Sequence, residues 1–343
     1  MTKICLISDL HVGSRSDNSY VYQNMIEFYQ NQFFPELKKR QIKTIINLGD
    51  TFDRRKMTNN KTLQNSKEDI FKYFNEFDCH FLIGNHDCPN RNSNHYNTVK
   101  SLLPEFRNIK SYENPTTVNI EGLNICLIPW INNENYDDSM KQIENTNSLV
   151  CMGHLEIAGF EFYTGSICKH GLSTSIFNKF SKTFSGHFHK KSSNGNITYL
   201  GSPYQTTWQE YTEIKGYHIF DTKTFEMEFV PNNNPLLYMI DSEFDFNSDI
   251  SGKFVKAVLT EEFSKSKDFE LYRERIQEMK PATFTTKIID KAKIENLSLN
   301  SDIEINDLNI VKISKDYIDE VENLLYKDEL KELLENLHKE AIS

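Results

Sequence analysis

The sequence predicts an α/β protein: a large domain with two β-sheets flanked by helices, a small α+β cap, and C-terminal helices. Three observations carry this. Over residues 1–231, short β-branched or aromatic runs alternate with longer stretches of mixed polarity. The early runs end in polar clusters, as strands do where an α/β sheet binds its ligand. Beyond residue 316, apolar side chains recur at helical spacing.

The early strands are expected at residues 4–8, 44–48, 80–83, 149–152 and 183–185. They run into Asp9-Leu10-His11, Gly49-Asp50, Gly84-Asn85-His86-Asp87, Gly153-His154 and Gly186-His187-Phe188-His189 respectively. Further strands are expected at 124–128, ending at Pro129-Trp130, and at 197–200, 217–220 and 225–230, the last two joined by a turn over 221–224. These later strands are expected to form a second sheet. The run Pro231-Asn232-Asn233-Asn234-Pro235 is polar and proline-bounded, so the large domain is placed at 1–231. The cap, 236–295, reads as a strand over 254–260, a helix over 267–279, a break at Pro281 and a strand over 283–289. A polar stretch, 296–309, leads to a helical segment at 310–343 with Val321, Leu324, Leu325, Leu330, Leu333, Leu334 and Leu337 on its apolar face. That face either packs on its own domain or docks onto a partner.

Composition narrows the class. No uninterrupted apolar run approaches the roughly 20 residues a membrane helix needs, and the N-terminal stretch lacks the apolar core of a signal peptide. The six cysteines are scattered without a Cys-x-x-Cys pair, which reads as buried thiols in a reducing, cytoplasmic compartment. A net charge of −10 argues at first against nucleic acid, whose binding depends on neutralised phosphates. The distribution changes that reading. Residues 1–231 carry 25 acidic and 24 basic side chains, whereas residues 316–343 carry 9 and 3. Bound cations among the acids of the first segment would also turn that face positive.

The five strand-end clusters hold five of the ten histidines, each near a glycine or an acid. Imidazole nitrogens mixed with carboxylate and amide oxygens suit manganese, iron or zinc better than calcium or magnesium alone. Glycines beside such ligands let the chain turn sharply and allow a phosphate to approach. Singly each element is a common accident, and a histidine after a strand is more often a hydrogen-bonded core group than a ligand. Five in this order, all at strand ends, read as a two-metal site.

In that order the clusters resemble the calcineurin-like metallophosphoesterase superfamily and, within it, the SbcD and meiotic-recombination-eleven nucleases, including their T-even phage members. Gly49-Asp50-Thr51-Phe52-Asp53, Ile128-Pro129-Trp130, Gly159-Phe160-Glu161-Phe162-Tyr163 and Phe229-Val230-Pro231-Asn232-Asn233 are similar to the phage type. The resemblance covers residues 1–235 well and the remainder in outline. It implies a two-sheet metallophosphoesterase sandwich. It also implies two Mn2+ ions, with Mg2+ as a substitute: one held by Asp9, His11, Asp50 and His189, the other by Asp50, Asn85, His154 and His187. Two such ions activate water and clamp both oxygens of an in-line displacement. His86 would be the transition-state group, with Asp87 orienting it and raising its pKa, unless Asp87 only caps the following loop. Cellular members often carry a histidine where this chain has Asp53, a position implicated in orienting DNA. Arg54, Arg55 and Lys190 are candidate backbone contacts, against the plainer reading of solvated basic residues.

The resemblance further implies a DNA nuclease, exonucleolytic on duplex ends and endonucleolytic on single-stranded or branched DNA. The partner would be an SbcC-like coiled-coil ABC ATPase bound through 310–343, and helices within 60–76 and 93–104 would pair two copies inside a heterotetramer. Two rival readings stand: a metallophosphoesterase acting on another phosphoester, since fold does not fix substrate, and an inactive scaffold.

Overall fold

The computed structural model describes residues 2–289, apart from Arg91 and Thr164, together with Lys327 and Lys331. Met1–Ile288 form one compact unit; the expected linker and most of the expected helical segment at 310–343 lie outside the described residues.

The strands in chain order are β1 (Lys3–Ile7), β2 (Thr44–Asn47), β3 (Asp78–Leu82), β4 (Ile109–Tyr112), β5 (Thr116–Ile120), β6 (Leu123–Ile128), β7 (Val150–His154), β8 (Glu161–Tyr163) and β9 (Ser166–Ile167). There follow β10 (Lys182–Gly186), β11 (Ser192–Asn194), β12 (Ile197–Tyr199), β13 (Gly216–Asp221), β14 (Met227–Pro231), β15 (Leu237–Ile240), β16 (Phe254–Thr260) and β17 (Thr283–Ile289). One six-stranded sheet runs β14-β13-β1-β2-β3-β4, with β1 to β4 parallel; β13 and β14, expected in the second sheet, instead extend this one, because β13 pairs antiparallel with β1. The other runs β11-β12-β10-β7-β6-β5, with β12, β10, β7 and β6 parallel. β8 and β9 form a separate hairpin.

The two-residue period of a strand sends alternate side chains to opposite faces, and the central strands are apolar on both. Ile4 and Leu6 of β1, with Ile46 and Leu82, meet Ile125, Leu127, Val150 and Met152 of the second sheet in one core between the sheets. Cys5 and Ile7 point the other way, into an aromatic core with Phe28, Tyr29, Phe33 and Phe34 of a long helical stretch and Phe71 and Phe74 of the next. On the far side, Cys126, Ile128 and Cys151 pack against Ile143 of the helix Tyr136–Asn145. The result is a four-layer sandwich, helix–sheet–sheet–helix, as expected. Each fully buried Leu or Ile contributes about 1.5–3 kcal/mol.

Departures from the expected elements have local causes. The strand expected at 225–230 begins later, because Phe225 takes φ 60° and donates its N–H to Asp221 O, closing the turn. Helix over 60–76 appears as Asn60–Phe74 with a π-turn at Lys67–Phe71. The one expected at 93–104 shrinks to Thr98–Leu102, since Asn97 caps Lys100 N–H and Asn94 is engaged by the Glu113 and Trp130 carbonyls. All six cysteines are free and buried, and no described helix is long and apolar enough to cross a membrane.

The cap strands β16 and β17 fall where the sequence places them, with the helix Asp268–Glu278 between. A third strand, β15, pairs in parallel with β16. Their core is separate: Ile250, Val255, Ala257, Leu259, Tyr272 and Ile276. The connection before them is pinned rather than loose. Asn232 donates to Pro203 O, Asn234 to Glu27, and Gln205 Oε1 accepts from Leu236 and Leu237.

Candidate metal centre and active site

Parallel β1, β2, β3 of one sheet and β7, β10 of the other bring their carboxyl ends to one edge of the sandwich, and the five clusters meet there. Four residues of that edge sit in the left-handed region: Asp9 (φ 58°), His11 (43°), Asp50 (55°) and His187 (90°). Non-glycine residues rarely adopt it, at about 1–3 kcal/mol each, and such strain concentrates at functional sites.

Three groups of donor atoms result among the described residues, Asp9–His11–His189, Asp50–His154–His187 and, sharing His11, His11–Asp53–His86, the atoms of each within 4.8 Å of one another. His11 Nε2 and His189 Nε2 are only 2.9 Å apart, a spacing that requires a shared proton or a common cation. Asn85 Oδ1 lies 2.9 Å from both His154 Nε2 and His187 Nδ1. Asp50 Oδ2 stands between the first two groups, 3.4 Å from His154 Nε2 and 3.7 Å from His11 Nε2, while its Oδ1 accepts the His86 N–H at 2.8 Å. Buried carboxylates, an amide oxygen and converging ring nitrogens fit a divalent cation.

The ring nitrogen of each histidine that faces away from the cluster has its own neighbour, the arrangement that orients metal-ligating imidazoles. His154 Nδ1 donates to Leu48 O at 2.7 Å, and His189 Nδ1 to Glu210 Oε1 at 2.9 Å. His187 Nε2 is 3.5 Å from Glu156, and His11 Nδ1 is 3.2 Å from Asp53 Oδ1, off the line of a good hydrogen bond.

Protons compete with cations for this cluster. Burial lowers the pKa of His11, but Asp53, Asp50 and Asp9 more than reverse it and lift it to about 9; burial likewise opposes the charge of His154, and Asp50 raises it to about 9. Burial opposes the charge of Asp50 too, yet His154 beside it holds the carboxyl well below its ordinary value.

His86 sits at the rim, its ring edge-on to His11 at 4.8 Å, with Nδ1 2.5 Å from Asp53 O. A carbonyl only accepts, so Nδ1 carries the proton. Asp87 does not orient it. Its carboxylate is fully used by the Thr51, Phe52 and Gly84 N–H groups and the Thr98 hydroxyl, tying two ligand loops to a helix. The expected rise in the His86 pKa is reversed as well: burial outweighs Asp50 and lowers it, while burial and Asp50 push Asp87 up to about 6.

The candidate DNA contacts each have a neighbour within the chain. Asp53 faces His11, Arg54 pairs with Asp17 at 3.6 Å, Lys190 pairs with Glu161, and Arg55 also has a partner. Sequence reasoning missed Glu210 and Glu156. The Thr207-x-x-Glu210 spacing of a capping box was the available signal for Glu210, whose carboxylate accepts the Thr207 N–H at 3.0 Å. Burial works against the Glu210 charge, but His189 and Lys215 draw its pKa down to about 2.

Gly49 has φ 108°, and a Cβ there would lie 2.4 Å from His154 Nδ1 and 2.9 Å from the Gly84 backbone. Gly49→Ala is expected to cost about 1–3 kcal/mol through strain alone. A lower thermal midpoint together with weakened manganese binding in calorimetry would show that His154 had been displaced; an unchanged midpoint would contradict the geometry.

A phosphoester hydrolase is the class that this sandwich and this edge define. Residues 2–191 match the model of the calcineurin-like phosphoesterase family, and the chain belongs to that family. It is 30% identical over 334 residues to exonuclease subunit 1 of Enterobacteria phage T4, with 95% of each chain covered. A solved structure described as a novel archaeal phosphodiesterase aligns over 67% of this chain and 99% of that one, at 12% identity and a TM-score of 0.34, a likeness too slight to add to the fold described above.

Proposed function

We propose that this chain is the nuclease subunit of a recombination and repair complex, hydrolysing DNA phosphodiesters as a duplex exonuclease and a single-strand or branched-DNA endonuclease. The observation that carries this is the junction at Asp50 of the two donor groups, with His86 at their rim, in a chain that aligns end to end with a phage exonuclease subunit. Asp9, His11, Asp50 and His189 would hold one Mn2+ and Asp50, Asn85, His154 and His187 the other, with Mg2+ as a substitute. Bound there, the ions would supply Lewis acidity to the phosphoryl group and the attacking water.

The residues do the rest. Asp50, buried and fixed by the His86 N–H, holds the two groups in register. Rear partners keep the ligand imidazoles aimed, so no reorganisation is needed when charge develops. His86, held at Nδ1 by the Asp53 carbonyl, presents Nε2 as the nitrogen that can pass a proton to the leaving oxygen. Asp87 braces the loops from which these groups project.

The relative is a subunit by name, and the reading extends to a partner: an SbcC-like coiled-coil ABC ATPase bound by 310–343, with two nuclease copies pairing inside a heterotetramer that works in the cytoplasm. Arg54, Arg55, Lys190 and Asp53 would meet DNA only after exchanging their present partners.

The test is nucleotide release from end-labelled duplex DNA by the purified protein with manganese, beside magnesium and a chelator. Manganese-dependent release that the chelator stops is the expected result. Hydrolysis of bis-p-nitrophenyl phosphate without any cleavage of duplex, single-stranded or branched DNA would point to a different phosphoester as substrate.

A further inference from the structure

Glu210 lies outside every strand-end cluster, yet it reaches the metal centre from behind. It ends a single 3-10 turn, Trp208–Glu210, and its side chain is wholly buried. One oxygen, Oε1, accepts from His189 Nδ1 at 2.9 Å. The other, Oε2, accepts the N–H groups of Thr206 at 2.6 Å and Thr207 at 3.0 Å and the Thr206 hydroxyl at 3.1 Å. Lys215 Nζ stands 3.8 Å from Oε1. With both oxygens committed, the carboxylate cannot turn away, and burying a charge is tolerable only with such complete pairing.

A carboxylate held in this way only accepts. In its neutral form His189 must therefore carry its proton on Nδ1, which leaves Nε2 bare, and Nε2 is the atom that lies 2.9 Å from His11 Nε2. The corresponding rear partner of His154 is the Leu48 carbonyl, a neutral acceptor that no side-chain substitution removes. The loop that carries Glu210 is itself fastened to the cap: Arg15 donates to the Thr206 carbonyl, and its guanidinium lies 5.0 Å from the ring centroid of Phe254 on β16.

We propose that Glu210 is the positioning residue for His189: it fixes the tautomer, aims Nε2 into the Asp9–His11–His189 group and strengthens it as a donor, so that one of the two cation sites depends on Glu210 and the other does not. This rests on the reading of the cluster as a metal centre.

Manganese uptake by the full chain, followed by calorimetry and by electron paramagnetic resonance, tests it. The wild type is expected to bind two ions with a coupled two-ion signal. Glu210→Gln and Glu210→Ala are expected to lose roughly 10–100-fold in affinity for one ion only, replacing the coupled signal by that of an isolated ion. Equal loss at both sites in folded Glu210 variants, or no loss at either, would overturn the proposal.

Ring-nitrogen magnetic resonance of the metal-free wild type gives a reading that needs no variant. His189 in its neutral form is expected as the Nδ1–H tautomer, and the Nε2–H tautomer would overturn the assignment even if the Glu210 variants failed to fold. Wild-type protein that takes up fewer than two ions would instead defeat the metal-centre reading. Two ions bound without DNA cleavage would defeat the nuclease reading and leave this inference standing.

Discussion

Asp50→Ala is expected to cut manganese-dependent DNA hydrolysis by on the order of 10⁴-fold or more, and to remove the coupled binding of two ions. Losing one preorganised electrostatic group in a site of this kind costs about 10²–10³-fold, and Asp50 serves both groups at once. Its carboxylate is 1% exposed, lies 3.4 Å from His154 and 3.7 Å from His11, and receives the His86 N–H. No neighbour can take over this position, because the backbone of Asp50 is itself held at φ 55°. The metal-free protein supplies a second readout. The His154 pKa is raised from 6.5 to about 9, so its ion pair stabilises the fold fully below 6.5 and the contribution is lost as pH rises through about 9. Asp50 is depressed below 3.8, so its share is present above 3.8 and lost as pH falls through its lowered value. Wild-type apoprotein should therefore be destabilised from about pH 6.5 to 9, and Asp50→Ala should make that limb shallower, leaving the part that His11 owes to Asp53 and Asp9. A variant that still binds two ions and cleaves DNA would remove Asp50 from the centre of the mechanism.

What could be read from the sequence was what is local in it. Gly84-Asn85-His86-Asp87 announces itself because the candidate ligand, the rim histidine and the turn are neighbours in the chain, and parallel strands gather such turns at one edge. The apolar runs of β1, β2 and β7, buried on both faces, were equally plain. Half-exposed edge strands were not: β4 (Ile-Lys-Ser-Tyr) and β5 (Thr-Thr-Val-Asn-Ile) lack a sustained apolar pattern and owe their conformation to the ladder beside them. Side-chain roles failed where the partner is distant or is backbone. Asp87 is adjacent to His86 in sequence, but its oxygens go to the amides of Thr51, Phe52 and Gly84, which no residue pattern advertises. Glu210 is 21 residues from the histidine that it holds, and composition treats it as one more acid. The asparagines of 232–234 read only as the polar boundary of a domain; two of them are spent on fixed hydrogen bonds to the body.

His86→Ala should leave both manganese ions bound within a few-fold of wild-type affinity and yet slow DNA hydrolysis by about 10²–10⁴-fold, the usual worth of a general acid. The separation is expected because His86 Nδ1 donates to Asp53 O and so offers no lone pair to a cation there, and the ring, which shares a third cluster of donor atoms with His11 and Asp53, lies outside the two groups joined at Asp50. Burial lowers the His86 pKa, which is adverse for an acid until the substrate is considered. A phosphodiester brings negative charge to the rim and favours the imidazolium. The leaving group then separates the two roles that His86 could have. The alkoxide expelled from DNA is strongly basic and needs a proton, whereas p-nitrophenolate leaves without one. If His86 acts as an acid, His86→Ala will lose its full factor on DNA and much less on bis-p-nitrophenyl phosphate, and the wild-type rate on DNA will fall as pH rises through the pKa of the bound state. Equal losses on the two substrates would mean that His86 contributes charge or placement to the phosphoryl group and that the proton comes from solvent.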